Sequence, residues 1–343
     1  MQDSKFSEIA ERASLRGVKF IYKTASDTEN FRAYAFDYLW AFYCIWSTSV
    51  PGKFQRAVFD MGQQMVRRWN RSRPRSLTNL DADDLTHLVF ASYACYGFGA
   101  THDSLRTKIA EAVKRFGPID YFWFDPKVER PPLDVPEECA CEATNSRGQT
   151  TCSECSEQLT MMSPYEIWIV ALIRSYLGEK YGVKLGARYL DVLKWLPVMR
   201  PYPSVNTADF IWSIYAVTHV VYTLNDYGSC RLSSDWLPQE FEFLESNLSV
   251  LIALQDFETL GEVVDSLKSF GFSEQHPGIR QAMEYLLSVQ NSDGSWGEKD
   301  LEDVYYWYHP TLTAVNALRR YAWDDTSLSF PRLRSYLRNW AVS

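Results

Sequence analysis

Three of the five histidines in this chain recur at one place in three helix-like segments. His87 closes Asp81-x-Asp83-x-Leu85-Thr86-His87, and His219 closes Ser213-x-Tyr215-x-Val217-Thr218-His219. His309 closes Asp303-x-Tyr305-x-Trp307-Tyr308-His309. The same template ends at Glu262 in Asp256-x-Glu258-x-Leu260-Gly261-Glu262 and at Glu166 in Thr160-x-Met162-x-Pro164-Tyr165-Glu166. In the first helical segment Asp37 is the nearest equivalent. The set Asp37, His87, Glu166, His219, Glu262 and His309 alternates carboxylate with imidazole. With 43 acids and five histidines in 343 residues, composition does not favour filling every position. Inward carboxylates and imidazoles are costly in a low-dielectric channel unless they are paired or bound to a cation. Mixed ligation of this kind suits iron, manganese or zinc. The expectation is iron, or another divalent metal, as one ion or two; the alternative is a web of His–carboxylate hydrogen bonds without metal. A residue four places before each template end shares its helix face, which puts Asp83 and Glu258 in a neighbouring layer as candidate catalytic groups. Asp226, two turns after His219, and Asp303 are candidates to orient the ligands.

A second constellation is Cys139-x-Cys141-x10-Cys152-x2-Cys155. Two close thiol pairs separated by a short polar turn read as a closed structural zinc site, with disulfides or a redox role as alternatives. These cysteines lie in an unusually long, Pro- and Cys-rich connection, which needs a clip to be ordered. Cys44, Cys95 and Cys230 read as ordinary thiols.

The elements that must position these residues are helical hairpins. Apolar residues at helical spacing give inner segments over 28–46, 81–96, 163–177, 208–227, 257–270 and about 302–321. Outer partners are expected over 5–25, 52–70, 103–116, 185–198 and 239–254, with a last one ending in Ala282-Met283-Glu284-Tyr285-Leu286-Leu287-Ser288-Val289. Gly97, Gly178, Gly228 and Gly271 fall just past periodic stretches as helix stops. Repeats of about 40–50 residues imply an array whose units bury faces against neighbours. The expected fold is a single all-α domain over residues 1–343, six helical hairpins in a closed (α/α)6 toroid. A zinc-ribbon-like insertion is expected over 125–160, and an open solenoid is the alternative to the closed ring.

The closed ring is favoured by one stretch. Tyr285-Leu286-x3-Gln290-x2-Asp293-Gly294-x-Trp296 resembles the QW repeat of the terpenoid cyclase and protein prenyltransferase superfamily, over about forty residues. That resemblance implies two concentric rings of six helices. Within the superfamily, Tyr308-His309-Pro310-Thr311 is similar to the element that carries a zinc ligand in protein prenyltransferases, although their aspartate and cysteine ligands have no counterpart here. Asp81-Ala82-Asp83-Asp84 resembles the DxDD motif of class II terpene cyclases. There the middle acid protonates an alkene or epoxide, which would make Asp83 the acid, with Asp84 beside it and His87 or His219 as its partner. Acids at a helix N-terminus are also favoured by the helix dipole alone.

The bulk numbers bound the function. Aromatic residues make up 15% of the chain, with 12 Trp and 21 Tyr, enough for a lined cavity as well as a core. A net charge of −8 gives no electrostatic support for nucleic acid. No signal pattern or membrane-spanning run is visible, so a soluble cytoplasmic protein is expected. The oligomeric state is not legible. The expected function is a metal-dependent enzyme, non-heme iron and oxygen chemistry favoured, acting on a small hydrophobic metabolite in the toroid centre. Class II-type terpenoid cyclisation and a non-catalytic toroid binding module are the alternatives.

Overall fold

The computed structural model describes residues 2–101, 103–297 and 303–341, with side chains from residue 5. The chain is helical almost throughout. Its helices are α1 (Gln2–Ser26), α2 (Thr28–Thr48), α3 (Lys53–Ser72), α4 (Ala82–Gly97), α5 (Asp103–Ala112), α6 (Pro118–Phe122) and α7 (Pro164–Tyr181). They continue as α8 (Tyr189–Leu193), α9 (Phe210–Leu224), α10 (Pro238–Leu254), α11 (Phe257–Ser269), α12 (Pro277–Ser288), α13 (Tyr305–Leu318) and α14 (Arg334–Ala341). The described strands are one short parallel pair, β1 (Cys230–Arg231) and β2 (Asp324–Thr326). No described helix is long and apolar enough to cross a membrane.

Helices α2, α4, α7 and α11 start where side chains supply the missing acceptors. Asp27 accepts from the Glu29 and Asn30 amides, Asp81 from Asp84 at 2.8 Å, and Asp256 from Thr259 at 3.0 Å. Ser163 caps α7, with Pro164 in the first turn. Packing runs from α2 to α4, α7, α9, α11 and α13 in chain order, and α1 lies against both α2 and α13. Tyr308 on α13 meets α2 through the rings of Tyr34 and Tyr38, at 5.6 and 4.6 Å between centroids.

The two ends of the helical run are stitched together at both levels. Trp296 is fully buried, and its ring N–H donates to the Leu286 carbonyl at 2.7 Å. Gln290 donates across to the Ala13 carbonyl of α1 at 3.0 Å. Gly294 sits at φ +98°, and a Cβ there would meet the Arg16 carbonyl oxygen at 2.7 Å, so the turn approaches α1 more closely than a side chain permits. At the other end Ser49 and Tyr321 form an antiparallel bridge, with Ala322 donating to the Thr48 carbonyl at 2.8 Å.

Four expected elements differ. The segment over 163–177 does not stop at Gly178 but runs to Tyr181, where Gly182 at φ +85° ends it. The outer segment over 185–198 shrinks to α8 and a short 3-10 turn, Leu196–Val198, because Pro197 cannot continue a helix. The outer segment over 103–116 stops at Ala112, followed by a 3-10 turn and α6. The last inner helix ends at Leu318, so Tyr321 lies in the bridge to Ser49 rather than in the helix; its expected start near Glu302 lies outside the described residues. The C-terminal stretch that carries β2 and α14 has no place in the hairpin count.

Candidate active site and metal centre

Side chains from α2, α4, α7, α9, α11 and α13 line one cavity of about 350 Å³. Its wall is largely aromatic: Phe36 and Trp40 from α2, Phe90 from α4, Tyr222 from α9, and Tyr305 and Tyr308 from α13. Tyr227, just past α9, meets Trp40 edge to face at 4.9 Å. Into this wall project His219 from α9, Glu262 and Asp265 from α11, His309 from α13 and Asp37 from α2.

Two glutamates one turn apart on α11 find different partners. Glu258 accepts from the Tyr215 hydroxyl at 2.9 Å and lies 2.8 Å from His309 Nδ1. Burial opposes a charged imidazole at His309, but the facing Glu258, with Asp37 and Glu262 near, holds its proton up to about 9. Burial likewise pushes the Glu258 carboxyl up, yet the imidazolium and the Tyr215 hydroxyl outweigh it and leave it below the ordinary value. The result is a charged pair at neutral pH, stacked under Tyr305 at 4.7 Å.

Glu262 is 3% exposed, and among the described residues no Lys or Arg pairs with it. Burial dominates and pushes its carboxyl up to about 8, against the His309 charge and the Thr218 hydroxyl. The Thr218 hydroxyl lies 2.5 Å from Glu262 Oε2 and 2.9 Å from the Tyr215 carbonyl. One hydroxyl proton cannot serve both acceptors; a protonated Glu262 that donates to Thr218 satisfies all three groups. His219 Nδ1 is 2.7 Å from the same carbonyl, which fixes the proton on Nδ1 and leaves Nε2 as an acceptor. Burial, reinforced by the His309 charge, takes the His219 imidazole down to about 4. At 3.8 Å from Nδ1 to Oε2, His219 and Glu262 are therefore neighbours that are both neutral, not an ion pair.

Gly261 explains why α11 can bring both glutamates here. A Cβ at that position would meet the Thr313 carbonyl carbon at 2.8 Å, so only glycine lets α11 lie against α13 at this depth.

The other sequence candidates have other partners, and of them Asp37 alone lines the cavity. His87 stacks on Phe36 at 3.7 Å, and burial lowers its pKa; it stands behind the cavity wall. Glu166 sits half-buried in the first turn of α7, its carboxyl pushed up by burial, and does not line the cavity. Asp37 accepts the Tyr308 hydroxyl at 2.7 Å. Asp303 accepts the Tyr34 hydroxyl at 2.8 Å rather than orienting an imidazole. Asp226 takes the Tyr176 hydroxyl and the Lys180 ammonium, the latter at 2.9 Å, so it does not support His219. In the acidic motif Asp81 is a helix cap, Asp84 is exposed, and Asp83 is ion-paired to Arg174 at 2.6 Å with more than half its side chain in solvent. Asp83 is thus not placed to protonate a substrate in the cavity.

A metal held by the six-residue set has no support in this geometry. His309 pairs with Glu258, Asp37 with the Tyr308 hydroxyl, Glu262 with the Thr218 hydroxyl and His219 with the Tyr215 carbonyl, while His87 stacks on Phe36. Among the described residues, the one group of three or more metal-ligating side chains within mutual reach is Cys139, Cys141, Cys152 and Cys155. Their ligand atoms all lie within 4.8 Å of one another, with Cys139–Cys155 at 3.4 Å and Cys141–Cys152 at 3.5 Å. Sulfurs of a tetrahedral zinc site stand ~3.8 Å apart for Zn–S bonds of ~2.3 Å, and a disulfide needs ~2.05 Å, so the four thiols fit a metal and are unbridged. Backbone amides of Cys141, Glu154, Cys155 and Glu157 face the sulfurs, as thiolates require. Those of Cys155 and Glu154 draw the Cys152 thiol down to about 6. Antiparallel bridges Pro136–Met161 and Thr151–Gln158 hold the loop as a small ribbon.

Two groups escaped sequence reading. Asp265 lies three residues past Glu262 in an apolar stretch, which was a usable signal. Arg319, 3% exposed, is a cation just past the last inner helix, and nothing in its local spacing marks it as buried. Comparison with known proteins finds no matching family model, curated protein or solved structure.

Two outcomes follow from this geometry. Because Glu262 favours its proton in the fold, its contribution to stability is full below about 4.5 and lost as pH rises through about 8. At about 1.4 kcal/mol per tenfold in proton affinity, the ceiling is about 5 kcal/mol. Glu262→Gln, isosteric with the protonated acid, should flatten that part of the stability–pH curve; an unchanged curve by chemical denaturation refutes it. Purified protein should carry about one zinc per chain, and Cys152→Ser should lose it and expose the loop to protease, as elemental analysis and limited proteolysis will read.

Proposed function

We propose that the chain is an acid–base enzyme that rearranges a small apolar, unsaturated substrate inside a closed ring of six helical hairpins. The observation that carries this reading is Glu262: a buried carboxylic acid that keeps its proton at neutral pH, in an aromatic cavity, beside a neutral imidazole. The ring and the Gln290–Trp296 turn support kinship with the terpenoid cyclase and prenyltransferase superfamily. The iron chemistry expected from the six-residue set gives way, because Asp37, His219, Glu262 and His309 are each engaged by a partner outside the set. The acid moves from Asp83 to Glu262.

In this mechanism Glu262 gives its proton to a carbon of the substrate double bond. The π electrons form the new C–H bond and leave a cation on the neighbouring carbon. The faces of Trp40, Tyr222, Tyr227 and Tyr305 stabilise that charge. The His309–Glu258 pair, already charged, adds no net charge to the site and fixes Tyr305 above it. His219 Nε2 then removes a proton from an adjacent carbon, and that C–H pair forms the new double bond. Solvent carries the proton from His219 back to Glu262, so the net reaction is an isomerisation or cyclisation with no redox change.

The test is turnover of small terpenoid and other apolar alkenes in D2O. The product should gain solvent deuterium, and Glu262→Gln should cut kcat by about 100-fold or more. Products free of deuterium, or full activity in Glu262→Gln, contradict the assignment.

A further inference from the structure

A second cavity, of about 220 Å³, shares Arg319 and Tyr321 with the central one. Its lining includes Arg231, Lys268, Arg319 and Arg320, against Glu274 as the one acid in the wall. The chain as a whole carries 43 acids and 35 bases, so this grouping runs against composition. None of the four cations forms an ion pair with a carboxylate among the described residues. Lys268 Nζ donates to the Ala317 and Arg319 carbonyls, at 2.9 and 2.7 Å, which leaves one ammonium hydrogen. Arg319 donates only to neutral oxygens, on Asn316, Ser49 and Thr48, at 2.9, 3.1 and 2.9 Å. Two of its five N–H groups remain.

Buried cations without an anion are costly. From α11, Asp265 is the acid that faces both Lys268 and Arg319, but it is engaged by Tyr222 and Tyr321, and burial pushes its carboxyl up. Burial, with repulsion from Arg319, lowers the Lys268 ammonium to about 8, although Asp265 and Glu274 oppose that. Even with both acids ionised, four cations leave an excess of two positive charges. A guanidinium fork beside an ammonium matches the oxygens of a phosphate group.

We propose that this cavity binds an oxyanion carrying two or more negative charges, of the phosphate or diphosphate class. Arg231 and Arg320 gate its exposed side and Lys268 and Arg319 form its floor. The site stands apart from the chemistry assigned to the central cavity.

Calorimetric titration of the full chain at low ionic strength with inorganic phosphate, pyrophosphate and acetate tests this. Pyrophosphate or phosphate should bind saturably at one site, and acetate about tenfold more weakly or not at all. The double variant Arg231→Gln/Arg320→Gln, changed only at exposed positions, should keep the wild-type helical signal and lose about tenfold or more in affinity. No saturable binding of either phosphate anion below ~10 mM, equal binding of acetate, or unchanged affinity in the folded double variant overturns the proposal.

Discussion

A carboxyl group taken out of water must either find a counter-charge or keep its proton. Helix α11 carries both solutions one turn apart. Glu258, about one-fifth exposed, meets His309 and the Tyr215 hydroxyl and stays charged. Glu262, deeper by a turn, meets only a threonine hydroxyl and a neutral imidazole and stays protonated. The same dielectric contrast divides the two histidines: the one facing a carboxylate is charged, the one facing a backbone carbonyl is not. Pairs of titratable groups whose environments push their pKa values apart are how a site holds an acid and a base at one pH.

This separation depends on packing outside the two pairs. Gly261 lets α11 settle against Thr313, and the Tyr215 carbonyl fixes the His219 tautomer. The Gln290–Trp296 turn fastens the last hairpin to α1, and the Ser49–Tyr321 bridge fastens the other end of α13 to α2. With both ends fixed, His309 is held at one depth opposite Glu258. Burial among the aromatic side chains of the wall lowers the local dielectric, which is what gives the charges and the retained proton their strength.

Much of this scaffold is legible in the sequence. Helices α2, α4, α7, α9, α11 and α13 fall where apolar periodicity places helical segments, and Asp27, Asp81, Ser163 and Asp256 cap four of them. Of the six residues expected to hold a metal, Asp37, His219, Glu262 and His309 line the cavity and His87 and Glu166 do not; helical spacing fixes which face a residue shares. What spacing cannot give is the neighbour across the gap. Asp37 found Tyr308, Asp83 found Arg174 and His87 found Phe36, all on other helices; the contacts take Asp37 and His87 from the expected metal set and Asp83 from the expected catalytic groups. The cysteines are different: their ligand geometry is made within a loop, so sequence spacing carries more of it.

The central claim is the charge state of the two pairs at neutral pH. Nitrogen-15 and carbon-13 NMR of the histidine rings and glutamate carboxyls reads it directly. The account predicts His309 protonated at both ring nitrogens, His219 protonated at Nδ1 alone, and Glu262 present as the acid. A doubly protonated His219 facing an ionised Glu262 would contradict it.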